Sequence, residues 1–263
     1  MTGNSFSGKV IDLTSNSTTA ELSGVANQGF AVDLTGDLDN VGATLNLGSG
    51  ADFAGLTLGQ GGVLAGGTVD DPAGITQFSG GTLQGVTYEG ALDLTPYGSS
   101  VFVDDGLTAT GAGGTGPGTI NLGQYATLAF EGTQSFDDAT INLEGSYSTL
   151  ELYASYAAYV ANGYGAPSQT LTLGSGVTID QTGSGDQIGN GGYASATIVN
   201  GGGDRRRQWI ADDRSVELRQ RRDDRRHWRQ PDDLGRDARQ RGLGRHRCDG
   251  RLDFNQRGRR ADQ

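Results

Sequence analysis

Two segments of this chain, Thr119-Ile-Asn-Leu122 and Thr140-Ile-Asn-Leu143, are identical and start 21 residues apart. Each is followed by a second strand-like run, Ala126-Thr-Leu-Ala-Phe130 and Ser148-Thr-Leu-Glu-Leu152. A recurrence at that period marks a repeat architecture, in which one unit cannot bury its apolar face without a neighbour. Related four-residue strands recur along the chain: Ile11-Asp-Leu-Thr14, Val32-Asp-Leu-Thr35, Thr44-Leu-Asn-Leu47, Leu92-Asp-Leu-Thr95, Thr170-Leu-Thr-Leu173, Val177-Thr-Ile-Asp180 and Ala196-Thr-Ile-Val199. Apolar residues alternate with Thr, Asp or Asn in each, the period-2 pattern of a strand with one buried face.

Glycine closes the gaps between these strands, as in Gly48-Ser-Gly50, Gly59-Gln-Gly-Gly62 and Gly174-Ser-Gly176. The chain can therefore turn after four or five residues without strain. The expected fold class is all-β, a parallel β-helix (solenoid) over residues 1–203. At a repeat near 20 residues it would have about ten coils and a length on the order of 45–50 Å, given about 4.8 Å per coil. An antiparallel sandwich or barrel could use the same strands, but the regular Thr-Ile-Asn-Leu recurrence favours the solenoid. Asn and Thr at matching positions are expected to form ladders between coils. Residues 146–168 read as an excursion from the repeat. Their best helical stretch is Leu152-Tyr-Ala-Ser-Tyr-Ala-Ala-Tyr-Val160, with tyrosines every three residues.

Charge divides the chain sharply. Lys9 is the only cation before position 204, against nineteen acids, so residues 1–203 carry a formal charge of −18 although the whole chain stands at −11. Both Trp, both His and Cys248 lie in the arginine-rich remainder, 204–263. That tail has no strand alternation and too little apolar content to bury a core, so disorder is expected there. Two readings of it stand side by side. One is a basic arm, with 205–207 and 219–229 contacting phosphates and Trp228 stacking. The other, favoured, is an out-of-frame translation of the same repeat. Asp-Asp at 212–213, 223–224 and 232–233, read one base later, becomes Thr-Ile with plausible codons, and Thr-Ile is the commonest strand core before 203.

Motifs for chemistry are sparse. The segment Gly111-Ala-Gly-Gly-Thr-Gly116 satisfies the dinucleotide pattern, but Pro117-Gly118 and a strand follow where the pattern needs a helix. The stretch Gly183-Ser-Gly-Asp-Gln-Ile188 echoes a calcium repeat once and reads as a turn, and residues 1–203 contain no His or Cys for zinc. No cofactor and no metal is expected. The acidic pairs Asp70-Asp71, Asp104-Asp105 and Asp137-Asp138 are the catalytic candidates, since glycoside hydrolysis uses paired carboxylates. Adjacent strand residues point to opposite faces, however, so they read as solvated turn residues and no catalytic residue is assigned. A charge of −18 would also repel nucleic acid, anionic glycans and anionic membranes. No apolar stretch approaches the roughly 20 residues of a membrane span.

Tyrosines gather between 125 and 164. Tyr147, Tyr153, Tyr156, Tyr159 and Tyr164 form the candidate aromatic surface patch, with Tyr125 beside them. A sugar- or protein-binding role competes with capping of the solenoid or packing beneath a loop.

Segments such as Gly81-Thr-Leu-Gln-Gly-Val-Thr-Tyr-Glu-Gly-Ala-Leu-Asp-Leu94 and Gly118-Thr-Ile-Asn-Leu122 resemble the repeats of large bacterial surface proteins. The kin are autotransporter passenger and filamentous-haemagglutinin-like β-helices, and the likeness is closer over 40–203 than over 1–40. The resemblance implies secretion to the cell surface and a structural or adhesive role without catalysis, with a host or matrix glycan or protein as the parent's partner. It also implies that this chain is a fragment, since residues 1–9 have no apolar core for a signal peptide. A carbohydrate-active β-helix using Asp pairs is the alternative, with nucleic-acid binding by the tail behind it.

Overall fold

The computed structural model describes residues 4–201 and the backbone of Gly203–Arg205. All of them belong to one compact unit, Met1–Arg222, while a second unit, Asp223–Gln263, lies outside the described residues. So do the expectations of a disordered tail and of an out-of-frame reading, apart from the backbone of 203–205.

Strand accounts for 55% of the structure and helix for 5%, arranged as a parallel β-solenoid of about 8 turns. One ladder climbs through Val10–Leu13, Ala31–Leu34 and Gly55–Gly59 into Gln77–Leu94. It continues through Ser100–Thr110, Thr127–Glu131, Thr149–Ala154 and Gln187–Gly192. A second ladder stacks the end of Gln77–Leu94 on Gly118–Leu122, Ala139–Leu143, Thr178–Gln181 and Gly203–Arg205. A small third sheet joins Gln134–Phe136, Ser168–Leu173 and Ser195–Asn200. The coils number about eight rather than ten because the period is not constant. Partners one coil apart are separated by 21 residues at Asn121 and Asn142 but by 38 at Ser148 and Asp186.

The two Thr-Ile-Asn-Leu copies lie on each other in register, Thr119 on Thr140 through Leu122 on Leu143. Alternation sends Ile and Leu inward and Thr and Asn outward, so like stacks on like. Leu92, Ile120, Ile141 and Ile179 form one continuous buried column, and Leu94, Leu122 and Leu143 form another. Each such side chain contributes roughly 1.5–3 kcal/mol by leaving water. On the outer surface the same register aligns Asp93, Asn121, Asn142 and Asp180, and Asn142 Nδ2 donates to Asn121 Oδ1 at 2.8 Å. The expected asparagine ladder is therefore one link long, flanked by carboxylates.

The first coil is covered by a reversed strand. Ser5–Ser7 turns back at Gly8 (φ 62) and Lys9 and pairs antiparallel with Val10–Leu13. Asn4 Oδ1 accepts from the backbone N–H groups of Thr14 and Ser15, fixing the corner. Lys9 is spent locally. Its ammonium donates to the Gln28 carbonyl at 2.7 Å and sits 5.2 Å from the Phe30 ring centroid.

The excursion at 146–168 carries a helix, Tyr156–Ala161, capped by Ser155, whose hydroxyl accepts from the Ala158 N–H. None of its residues is buried.

Candidate binding surface

Three aromatic groups lie along the strand Thr149–Ala154. At its start, Tyr97, Tyr125 and Tyr147 form a ladder over successive coils. Tyr97 meets Tyr125 edge to face at 5.3 Å, and Tyr125 stacks on Tyr147 at 5.3 Å with planes 13° apart. Near its end, Tyr153 packs edge-on against Phe102 at 5.0 Å. Just beyond, Tyr156 and Tyr159 of the helix gather with Tyr164 and with Tyr193 of the next coil, at centroid distances from 4.9 to 6.1 Å. The five tyrosines singled out in the sequence are thus distributed over three contacts rather than one patch. Tyr147 goes with the ladder, Tyr153 with Phe102, and Tyr156, Tyr159 and Tyr164 with the helix.

Tyr97, Phe102 and Tyr193 were not singled out in the sequence. A signal for the ladder exists in the register. Ser100, Thr127, Thr149 and Gln187 are stacked partners, so Gly98, Tyr125, Tyr147 and Gly185 occupy one corner in four successive coils. All four are left-handed, with φ of 72°, 56°, 62° and 72°. Glycine adopts that conformation freely and tyrosine does not. The corner is held by backbone bonds from Gly98 N–H to the Gln124 carbonyl, from Tyr125 N–H to that of Ser146, and from Tyr147 N–H to that of Ser184. Gly185 also makes room, since a Cβ there would stand 2.8 Å from Cε1 of Tyr147.

The acidic pairs have different fates. Asp70 points outward, aligned with Glu89 of the next coil, whereas Asp71 is fully buried. This corrects its reading as a solvated turn residue. Asp71 accepts from Tyr88 Oη at 2.6 Å, from Thr76 Oγ1 at 2.7 Å and from the N–H groups of Ile75 and Thr76, each at 2.9 Å. Four donors compensate its desolvation. Burial foremost, and then the Asp71 carboxylate, hold the Tyr88 hydroxyl well above the ordinary phenol range. Asp186, at the turn formed by the calcium-like stretch, is also buried. It accepts from Ser148 N–H and Oγ and from Gln181 Nε2. Among the described residues, no group of three or more His, Cys, Asp or Glu side chains could hold a metal ion.

Asp137 braces a turn, its Oδ1 accepting from Gly176 N–H at 2.7 Å and from Asp138 N–H at 2.9 Å. Both aspartates line an open cleft of about 560 Å³ with Leu107–Thr110 and Pro117. Asp104 and Asp105 depart from the strand rule. A bulge between Gln84 and Val86 and a left-handed Asp105 (φ 53) bring both carboxylates to Gln84 Nε2, at 3.3 and 3.2 Å. Glu131 lies nearby. Burial, then the charge of Asp104, raises its carboxyl above the usual range, and burial alone raises Glu151.

The segment 111–116 forms a tight loop, closed by Gly114 N–H to the Gly111 carbonyl, and leads into the strand Gly118–Leu122. Among the described residues no helix is long and apolar enough to cross a membrane. No family pattern, curated protein or solved structure matches the chain.

Proposed function

We propose that this chain is a structural and adhesive β-solenoid segment of a secreted bacterial surface protein, with no catalysis of its own. The observation that carries the reading is the row of exposed tyrosines on a regularly stacked rod. A stack of about 8 coils, roughly 35 Å long at about 4.8 Å per coil, is a scaffold that displays side chains at fixed intervals. The most exposed aromatic side chains among the described residues, Tyr97 at 75%, Tyr164 at 66% and Tyr156 at 58%, combine a broad apolar ring with a hydroxyl. Rigid amphipathic groups of this kind suit contact with a partner. The acidic field, with one lysine in residues 1–203, keeps the rod away from nucleic acid and anionic membranes. The resemblance to autotransporter passenger and haemagglutinin-like repeats supports export and display.

Beads coated with the full chain test the reading. Retention on surfaces bearing extracellular matrix protein or polysaccharide, above that of beads coated with an unrelated acidic protein, is the expected result. Failure to adhere to any such surface would overturn it.

A second reading draws on Asp104, Asp105 and Glu131. One carboxyl raised by burial and by the neighbouring Asp104, in a group of three acidic side chains, is the kind of arrangement that divides acid and base roles in glycoside cleavage. Release of reducing ends from a polysaccharide, lost in Asp104→Asn, would establish it in place of the adhesive reading.

A further inference from the structure

We propose that the face along Thr149–Ala154 binds an uncharged polysaccharide chain, laid from the Tyr97/Tyr125/Tyr147 ladder to the Tyr156/Tyr193 cluster. The proposal rests on the adhesive reading above and names its ligand class.

Backbone strain is the first argument. Six described residues other than glycine have positive φ: Asn27, Asp105, Asp138, Tyr125, Tyr147 and Tyr164. Asn and Asp enter the left-handed region readily, and a bulky aromatic residue does so only at a cost. The fold does not require tyrosine at the ladder corner, since Gly98 and Gly185 fill it in the flanking coils. All three left-handed tyrosines are exposed, at 47%, 55% and 66%, so the core does not recover that cost. Strain held at an exposed position points to a use outside the fold.

Spacing supplies the second argument. Tyr147 stands at the corner two residues before the strand, and from Thr149 to Tyr153 is four strand steps, about 13 Å at 3.3 Å per residue. Tyr156 lies beyond, and the outward side chains between are Thr149 and Glu151. Rings placed at intervals, with hydroxyl and carboxylate groups between them, suit an extended ligand. Pyranose chains present apolar C–H faces to aromatic rings and hydroxyls to polar side chains at successive sugars.

Charge and composition select the class. The face itself carries one carboxylate, Glu151, and residues 152–179 carry no charged side chain, within a region whose formal charge is −18. Anionic polymers are repelled by that field. Protein interfaces favour arginine and a contiguous apolar centre. Residues 1–203 contain no arginine, and among the described residues the only exposed large aliphatic beside these tyrosines is Val160.

Affinity electrophoresis of the full chain in gels containing hydroxyethyl cellulose, dextran, galactomannan, xyloglucan or polygalacturonate tests the proposal. Retardation is expected in at least one neutral gel, undiminished by 0.5 M NaCl (about 4 Å Debye length), and absent with polygalacturonate. Tyr147→Gly, whose replacement matches the neighbouring corners, and Tyr156→Ser, on an exposed helix, are each expected to weaken that retardation at least fivefold, with an unchanged circular dichroism spectrum. Retardation by polygalacturonate alone, or neutral binding that both folded variants retain, would overturn the proposal. Adhesion to matrix protein without binding to any neutral gel would overturn it while leaving the adhesive reading standing. Failure on every surface would remove both.

Discussion

Tyr125 and Tyr147 sit one coil apart with rings stacked at 5.3 Å and backbones both in the left-handed region. The same two residues therefore carry opposing contributions, a favourable ring contact and an unfavourable φ. Stacking is worth about 0.5–1.5 kcal/mol beyond area burial. The left-handed backbone costs on the order of 1–3 kcal/mol. Tyr147→Ala loses the contact and keeps the strain, whereas Tyr147→Gly loses both. Denaturant unfolding should rank the glycine variant above the alanine variant by about 1 kcal/mol.

Ile141 lies mid-column between Ile120 and Ile179, with no exposed surface. Ile141→Ala should lower stability by about 2–5 kcal/mol. Thr140→Ala, one residue away on the outer face, should change it by less than about 1 kcal/mol. Guanidinium midpoints of the two variants check this, and equal losses would contradict an alternating in-and-out strand.

Tyr88→Phe removes one of the four donors to the buried Asp71. A loss of about 1–3 kcal/mol is expected at neutral pH. The parent protein has a pH signature that the variant lacks. Because the folded hydroxyl titrates above its unfolded value of about 10, its contribution is complete below that pH and is lost as pH climbs toward the raised folded value. Unfolding measured from pH 8 to 11 should fall more steeply for the parent than for Tyr88→Phe.

Glu131 and Glu151 act in the acid range with the same sign. Their folded carboxyls titrate above the unfolded value, so the folded state holds these protons more tightly. That contribution is complete below about pH 4.3 and disappears as pH rises through the folded values. Glu131→Gln and Glu151→Gln should each raise the melting temperature at pH 7, and the gain should vanish near pH 4. A gain of equal size at both pH values would mean the charge is not its source.

The repeat was legible because parallel stacking places identical residues on one another, and Thr-Ile-Asn-Leu at 119 and 140 is that register written out in sequence. The helix within 146–168 was legible for the complementary reason, a tyrosine spacing of three in a stretch without alternation. The fates of the acids were hidden by long-range packing. Nothing local to Asp71 announces Tyr88 one coil away, and nothing local to Asp186 announces Ser148 at a separation of 38. Asp104 and Asp105 converge only because a bulge breaks the rule that separates strand neighbours. The tyrosine ladder was half visible. Tyr125 and Tyr147 share a phase with Gly98 and Gly185, but a glycine gives no hint that its phase-mates are aromatic.

The reversed strand Ser5–Ser7 gives the rod a direction. Its single antiparallel pairing covers the edge of Val10–Leu13 that a further parallel coil would extend. Asn4 and Lys9 pin the hairpin in place, through the Thr14 N–H and the Gln28 carbonyl. Any further parallel strand, from this chain or from a second rod, can pair with that edge only after the hairpin peels away.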